Sequence, residues 1–154
     1  MKVYRLVRKQ VIAATVDELW AFFSNAKNLQ AITPSYMNFN ITSGELPQSI
    51  YPGQVITYKV SPLMNIPMFW MTEITSVVDN KLFVDEQRIG PYKMWHHQHH
   101  FEATEGGTLM TDIVHYSLPM GFLGGIAHGL FVKKQLNDIF DYRQRKIEEL
   151  FPGK

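Results

Sequence analysis

Residues 94–117 read MWHHQHHFEATEGGTLMTDIVHYS, and their alternation decides the fold. Two runs rich in aromatic and β-branched residues flank Glu105-Gly106-Gly107, a clear hairpin signal. Successive side chains of a strand point to opposite faces. Trp95, His97, His99 and Phe101 therefore share one face, and Met94, His96, Gln98, His100 and Glu102 the other. The first set carries two large aromatics and is assigned to the interior. A two-residue turn at Glu105-Gly106 pairs Thr104 with Gly107. That register predicts Phe101 opposite Met110, His99 opposite Asp112, His97 opposite Val114 and Trp95 opposite Tyr116. Both strands then turn their more apolar parity to one side, an agreement that a one-residue slip would destroy.

Upstream, the punctuation predicts more antiparallel strands. Lys2–Ile12 reads as a first strand, with Lys and Arg suiting an edge. Thr15 and Glu18 form a capping-box pattern ahead of a short helix to about Ser24. Asn25 is placed to cap a second short helix through Leu29 and Ile32, stopped by Thr33-Pro34. Asn38–Ser43, Gln54–Ser61, Met68–Val78 and Leu82–Ile89 are the next candidate strands, with Pro62 and Pro67 bracketing a loop. Downstream, Pro119 ends the last strand and a glycine-rich segment follows. A long helix then carries Val132, Leu136, Ile139, Phe140, Ile147 and Leu150 at helical spacing. Short turns between consecutive strands imply an antiparallel sheet of about six or seven strands, in an α+β chain. If that sheet curves strongly, the helix cannot touch it along its whole length, and the gap becomes a pocket.

The chain has 154 residues, which suits one domain, 1–154. Net charge is +1, so the basic surplus that nucleic acid demands is missing. Cysteine is absent, which excludes disulfides, thiolate metal ligands and a Cys nucleophile, and fits a cytoplasmic protein. The N-terminal apolar runs are broken by Arg5, Arg8, Lys9 and Asp17, unlike a signal peptide. No stretch approaches the roughly 20 apolar residues of a membrane span, so stable membrane insertion is not expected.

The order of elements, with GPYKMWHHQHHF (90–101), GGTLMTDIVHYSLPMG (106–121) and FVKKQLNDIFDYRQRKIEELF (131–151), resembles the START-like, helix-grip superfamily often called SRPBCC. That grouping includes polyketide cyclases and aromatases, plant proteins of the Bet v 1 type, and lipid-transfer domains. The chain looks most like small bacterial ligand-binding SRPBCC-domain proteins. The resemblance implies a curved sheet wrapped around the long helix, and it hosts carriers, enzymes and regulators alike.

The interior face yields the candidate site. Trp95, His97, His99, Phe101, Met110, Asp112, Val114 and Tyr116 are expected to line the pocket. Trp70 either joins them or packs in the core. On the Leu82–Ile89 strand neither parity is cleanly apolar, and the resemblance favours Asp85 and Gln87 as lining. Ile139 and Phe140 supply a roof. Arg143, one turn on, either clamps an anion or snorkels to the rim. A His99–Asp112 pair in an apolar cavity can anchor a ligand, act as an acid–base dyad with Tyr116 donating to an enolate, or only satisfy itself. The HHQHH run suggests a metal, since alternate histidines share a face and Asp112 or Asp85 can add a carboxylate. The run splits two and two across the sheet, however, and HExxH is absent, so neither metal nor cofactor is expected. The reading is a carrier or sensor for a hydrophobic small molecule, lipid-like, aromatic or polyketide-like. A cofactor-free cyclase, aromatase or dehydratase and a protein-interaction module are the alternatives.

Overall fold

The computed structural model describes residues 1–63, 65–120, 123, 125–126 and 128–153. Seven strands form one antiparallel sheet: β1 (Tyr4–Ile12), β2 (Asn40–Ile41), β3 (Val55–Leu63), β4 (Ile66–Val78), β5 (Leu82–Ile89), β6 (Met94–Thr104) and β7 (Gly107–Ser117). Their order is β1-β7-β6-β5-β4-β3-β2, so the first strand closes against the last. Helix α1 (Val16–Phe23) follows β1, and helix α2 (Lys133–Leu150) ends the chain. This is the α+β helix-grip architecture, with α2 lying over a curved sheet. Among the described residues no helix is long and apolar enough to cross a membrane.

Local chemistry explains most boundaries. Thr15 and Glu18 make the reciprocal capping box: the Glu18 amide donates to Thr15 Oγ1 (3.2 Å), and the Thr15 amide to Glu18 Oε2 (2.8 Å). Asn25 accepts from the Lys27 amide, but the turn it caps, Ala26–Ile32, is a 3₁₀ helix. The candidate strand at 38–43 shrinks to Asn40–Ile41, because Asn38 adopts a left-handed backbone (φ 47°) that ends a short turn. The loop expected between Pro62 and Pro67 is also corrected. Both prolines lie inside strands, and β3 meets β4 through Leu63 opposite Ile66. Register shifts interrupt β3–β4 between Val60 and Leu63, and β4–β5 at two further places. Such bulges bend a strand, which helps the sheet curl.

The β6–β7 register is the expected one, from Thr104–Gly107 through Phe101–Met110, His99–Asp112 and His97–Val114 to Trp95–Tyr116. Buried and half-buried residues alternate along β6 and β7, as a one-sided interior requires. A Cβ on Gly107 would collide with the Ile12 carbonyl of β1, and its φ of 138° suits glycine alone.

The interior divides in two. Toward α1, Trp20 packs edge-on against Phe83 and Phe101, with Leu19, Met110 and Ile147 in the same cluster. Toward the other end, Trp70, Trp95, Val114 and Tyr116 pack with Leu136 and Phe140 of α2. A π-helical turn, His128–Val132, leads into α2. Parts of the glycine-rich segment expected to gate a pocket (residues 121, 122, 124 and 127) lie outside the described residues.

Candidate functional site

Between the two clusters a pocket of about 180 Å³ opens among the concave sheet, the 3₁₀ turn at 26–32 and α2. Trp70, Asp85, Trp95, His97, His99, Ile139, Phe140 and Arg143, all anticipated from sequence, stand in its wall. Six other candidates do not. Phe101 and Met110 share the inward parity but are covered by the α1 side of the core. Val114 is sealed under α2. Gln87 bridges both backbone groups of Tyr92, donating to its carbonyl (2.7 Å) and accepting from its amide (3.1 Å). Tyr116 shares a 2.8 Å hydrogen bond with His128, so the expected His99–Asp112–Tyr116 arrangement is not assembled. Asp112 sits behind the histidines, one layer back from the pocket.

Several wall residues escape the sequence reading. Met37 and Leu29 come from 3₁₀ turns, where no periodicity marks an inner face. Tyr92 comes from a loop. Tyr58 shares parity with Ile56 and Val60 on β3, a readable signal, and its hydroxyl meets Thr72 Oγ1 at 3.2 Å. Trp70 Nε1 donates to the same oxygen (3.0 Å).

The polar cluster has four members from three adjacent strands, three of them in the wall and Asp112 behind them. Cross-strand pairing sets Asp85 opposite His97 and His99 opposite Asp112. His97 Nε2 donates to Asp112 Oδ1 (2.9 Å), and His99 Nε2 donates to Asp85 Oδ2 (2.8 Å). Their other nitrogens face the opposite carboxylates: His97 Nδ1 lies 3.5 Å from Asp85 Oδ2, and His99 Nδ1 lies 3.0 Å from Asp112 Oδ1. The last contact is too poorly aligned for a hydrogen bond, which leaves His99 Nδ1 without one. The rings lie 3.8 Å apart, centroid to centroid, and Phe83 stacks on His99 at 4.0 Å. The expected His99–Asp112 dyad is thus a crossed quartet in which each histidine hydrogen-bonds a different aspartate.

Burial drives the electrostatics. Desolvation and the charge of His99 hold His97 below the ordinary imidazole range, against the pull of both aspartates. Desolvation also opposes charge on His99, but Asp112 and Asp85 outweigh it and raise its pKa. Burial would raise both carboxyls; the two histidines outweigh it and hold Asp112 and Asp85 below the usual range, with Arg143 helping at Asp85. The cluster thus favours charge on His99 over His97 and keeps both carboxyls ionised, with the Arg143 guanidinium close to Asp85. Arg143 lies 4.9 Å from the centre of the Phe140 ring, and its Nε is buried without a partner.

No family model matches the chain, and no curated protein matches it. Solved structures do, with 236 matching chains. CV1439 from Chromobacterium violaceum superposes with a TM-score of 0.72 at 9% identity, covering 99% of each chain. Ginseng major latex-like protein 151 from Panax ginseng gives 0.67 at 14% identity, over 97% of this chain and 98% of that one. Protein Ms6760 from Mycobacterium smegmatis gives 0.66 at 16%, over 97% and 98%. These likenesses establish the fold, that of the Bet v 1-like, helix-grip proteins.

Proposed function

We propose that the protein binds a compact apolar small molecule, as carrier or sensor, with the ligand's polar end held at the histidine–aspartate quartet. One observation carries this reading: a largely aromatic and aliphatic pocket whose acidic, basic and imidazole groups are Asp85, His97 and His99 of the sheet and Arg143 of α2. Size favours a small ligand. A cavity of about 150 Å³ holds benzene, and this one is about 180 Å³. A long acyl chain or a multi-ring polyketide requires the walls to move. Burying roughly 200 Å² of apolar ligand surface contributes about 5 kcal/mol before association costs. Useful affinity then rests on the polar anchor, where a hydrogen bond to a charged group adds about 1.5–3 kcal/mol.

Trp70 and Trp95 stand in the wall, so their fluorescence reports occupancy. Titration with one-ring aromatic acids and phenols should give saturable quenching, weaker or absent with dodecanoate. Ile139→Trp, which fills the pocket from α2, should abolish it. Tight dodecanoate binding without any one-ring ligand would reject the compact-ligand reading. Undiminished binding by Ile139→Trp would reject the pocket itself.

A further inference from the structure

We propose that Asp85, His97 and His99 form a binding site for a divalent first-row transition metal, with Asp112 as the outer carboxylate that orients both imidazoles. The four ring nitrogens fall into two sets. One nitrogen of each histidine faces Asp112 Oδ1, at 2.9 and 3.0 Å. The other nitrogen of each faces Asp85 Oδ2, at 3.5 and 2.8 Å. One aspartate therefore stands behind both rings and the other in front of both. Metal-bound histidines take this form: one ring nitrogen coordinates, and the other donates its N–H to a carboxylate.

The dimensions agree. Asp85, His97 and His99 each offer one ligand atom within 4.8 Å of the other two. Bonds of about 2.0–2.2 Å to a shared ion place neighbouring ligand atoms roughly 3–3.5 Å apart. The two separations involving Asp85 bracket that spacing. The ion takes the place of the proton that His99 Nε2 shares with Asp85; from a doubly protonated ring that proton leaves to solvent, and in a singly protonated one it passes to Nδ1. The ring's remaining N–H then belongs on Nδ1, toward Asp112. A small turn of the ring completes the bond that His99 Nδ1 lacks as it stands.

Charge and access agree as well. Two aspartates balance a divalent ion in a buried setting, and an imidazole–carboxylate set without thiolate suits zinc, iron or manganese. Asp85, His97 and His99 line the pocket, whereas Asp112 does not. The free coordination positions therefore open into the cavity, as they do in metal sites that bind small molecules. The strand parity that splits the four adjacent histidines two and two leaves the inward pair intact. The third ligand comes from β5, whose alternation alone does not decide which way Asp85 faces.

Metal binding can be tested without any organic ligand, so its failure and that of the pocket reading are separable. The full-length chain, stripped with chelator, is titrated with Zn²⁺ alone by calorimetry and with Co²⁺ alone by visible spectroscopy. One equivalent should bind with a Kd of about 1 µM or tighter, and Co²⁺ should show ligand-field bands of a low-symmetry site. His99→Gln and Asp85→Asn should each weaken binding at least about 100-fold, and Asp112→Asn about 10–100-fold. On the outer face, His96 pairs with His115 across the strands, with Glu86 3.8 Å from His96. His96→Gln/His115→Gln should therefore leave the interior site unchanged. No saturable binding by the wild type at 100 µM metal overturns the proposal, whatever the variants do. So does binding that survives His99→Gln and disappears in the outer-face variant.

Discussion

Asp112 accepts from His97 at 2.9 Å, lies 3.0 Å from His99 Nδ1, and is 6% exposed. Removing it strands the buried His97 Nε2 and takes away the carboxylate that faces His99 Nδ1, and a buried polar group without its partner costs more than the bond itself contributes. Asp112→Ala should lower unfolding stability by about 2–4 kcal/mol in urea titration, with Asp112→Asn milder because an amide oxygen still accepts. A loss below about 0.5 kcal/mol would mean the quartet contributes little to the fold. Arg143 supplies a different test. Its guanidinium is anchored by stacking on Phe140 while its Nε has no protein partner, which leaves donors for a bound anion. Arg143→Met keeps much of the side-chain volume and removes the charge. It should weaken benzoate binding about tenfold, the worth of about 1.4 kcal/mol, and leave neutral benzamide within about twofold. Equal losses for both would assign Arg143 a packing role.

Among the elements, the β6–β7 hairpin carries the site, and its geometry depends on Gly107. A side chain there meets the Ile12 backbone and must adopt a left-handed φ, so Gly107→Ala should cost about 2–3 kcal/mol, read as a lower Tm. Gly106, whose added Cβ meets nothing within 4 Å, isolates the conformational part of that cost. The entrance to α2 gives a pH-dependent prediction. His128 stacks on Tyr4 at 3.5 Å and shares a hydrogen bond with Tyr116. Burial first, then the charges of Lys133 and Lys2, hold its pKa below the ordinary value. A depressed histidine stabilises the fold above its unfolded pKa, and that contribution is lost as pH falls through the folded one. The drop in Tm between pH 7 and 5 should therefore be larger in the wild type than in His128→Phe. Equal slopes would remove His128 from the account. The same elements separate what local pattern encodes from what it does not. Period-two alternation specifies the hairpin, its register and its inward face. Pro62 and Pro67 read as the bounds of a loop yet lie inside strands, because bulged and peripheral strand positions accommodate proline. Asp85 is ambiguous by parity alone, since its strand is half-buried on both sides.

For the whole molecule, alternation names a face but not a depth along it. Phe101 and Trp95 share that face, yet Trp20 and its neighbours cover the first, while the second borders open space. The crossing position of α2 and the fill from α1 decide which inward residues meet a ligand, and neither follows from local pattern. The crossed pairing of the quartet is hidden for the same reason, because it needs three strands in register at once. Refolding should reflect this topology: pairing Tyr4 with Tyr116 closes a loop that spans the whole sheet. Long-range β contacts of this kind predict relaxation in milliseconds to seconds rather than microseconds. Stopped-flow tryptophan fluorescence measures it, and a submillisecond main phase would contradict the topological argument.

The same closure bears on synthesis. An emerging chain exposes β1 before the other described strands, and its strand partner among the described residues is β7, about a hundred residues behind it. Until the ribosome has released Ser117, that edge has nothing of its own chain to zip onto. The basic Arg5, Arg8 and Lys9 that punctuate it then act as guards against strangers, keeping a waiting strand from pairing with a neighbouring nascent copy.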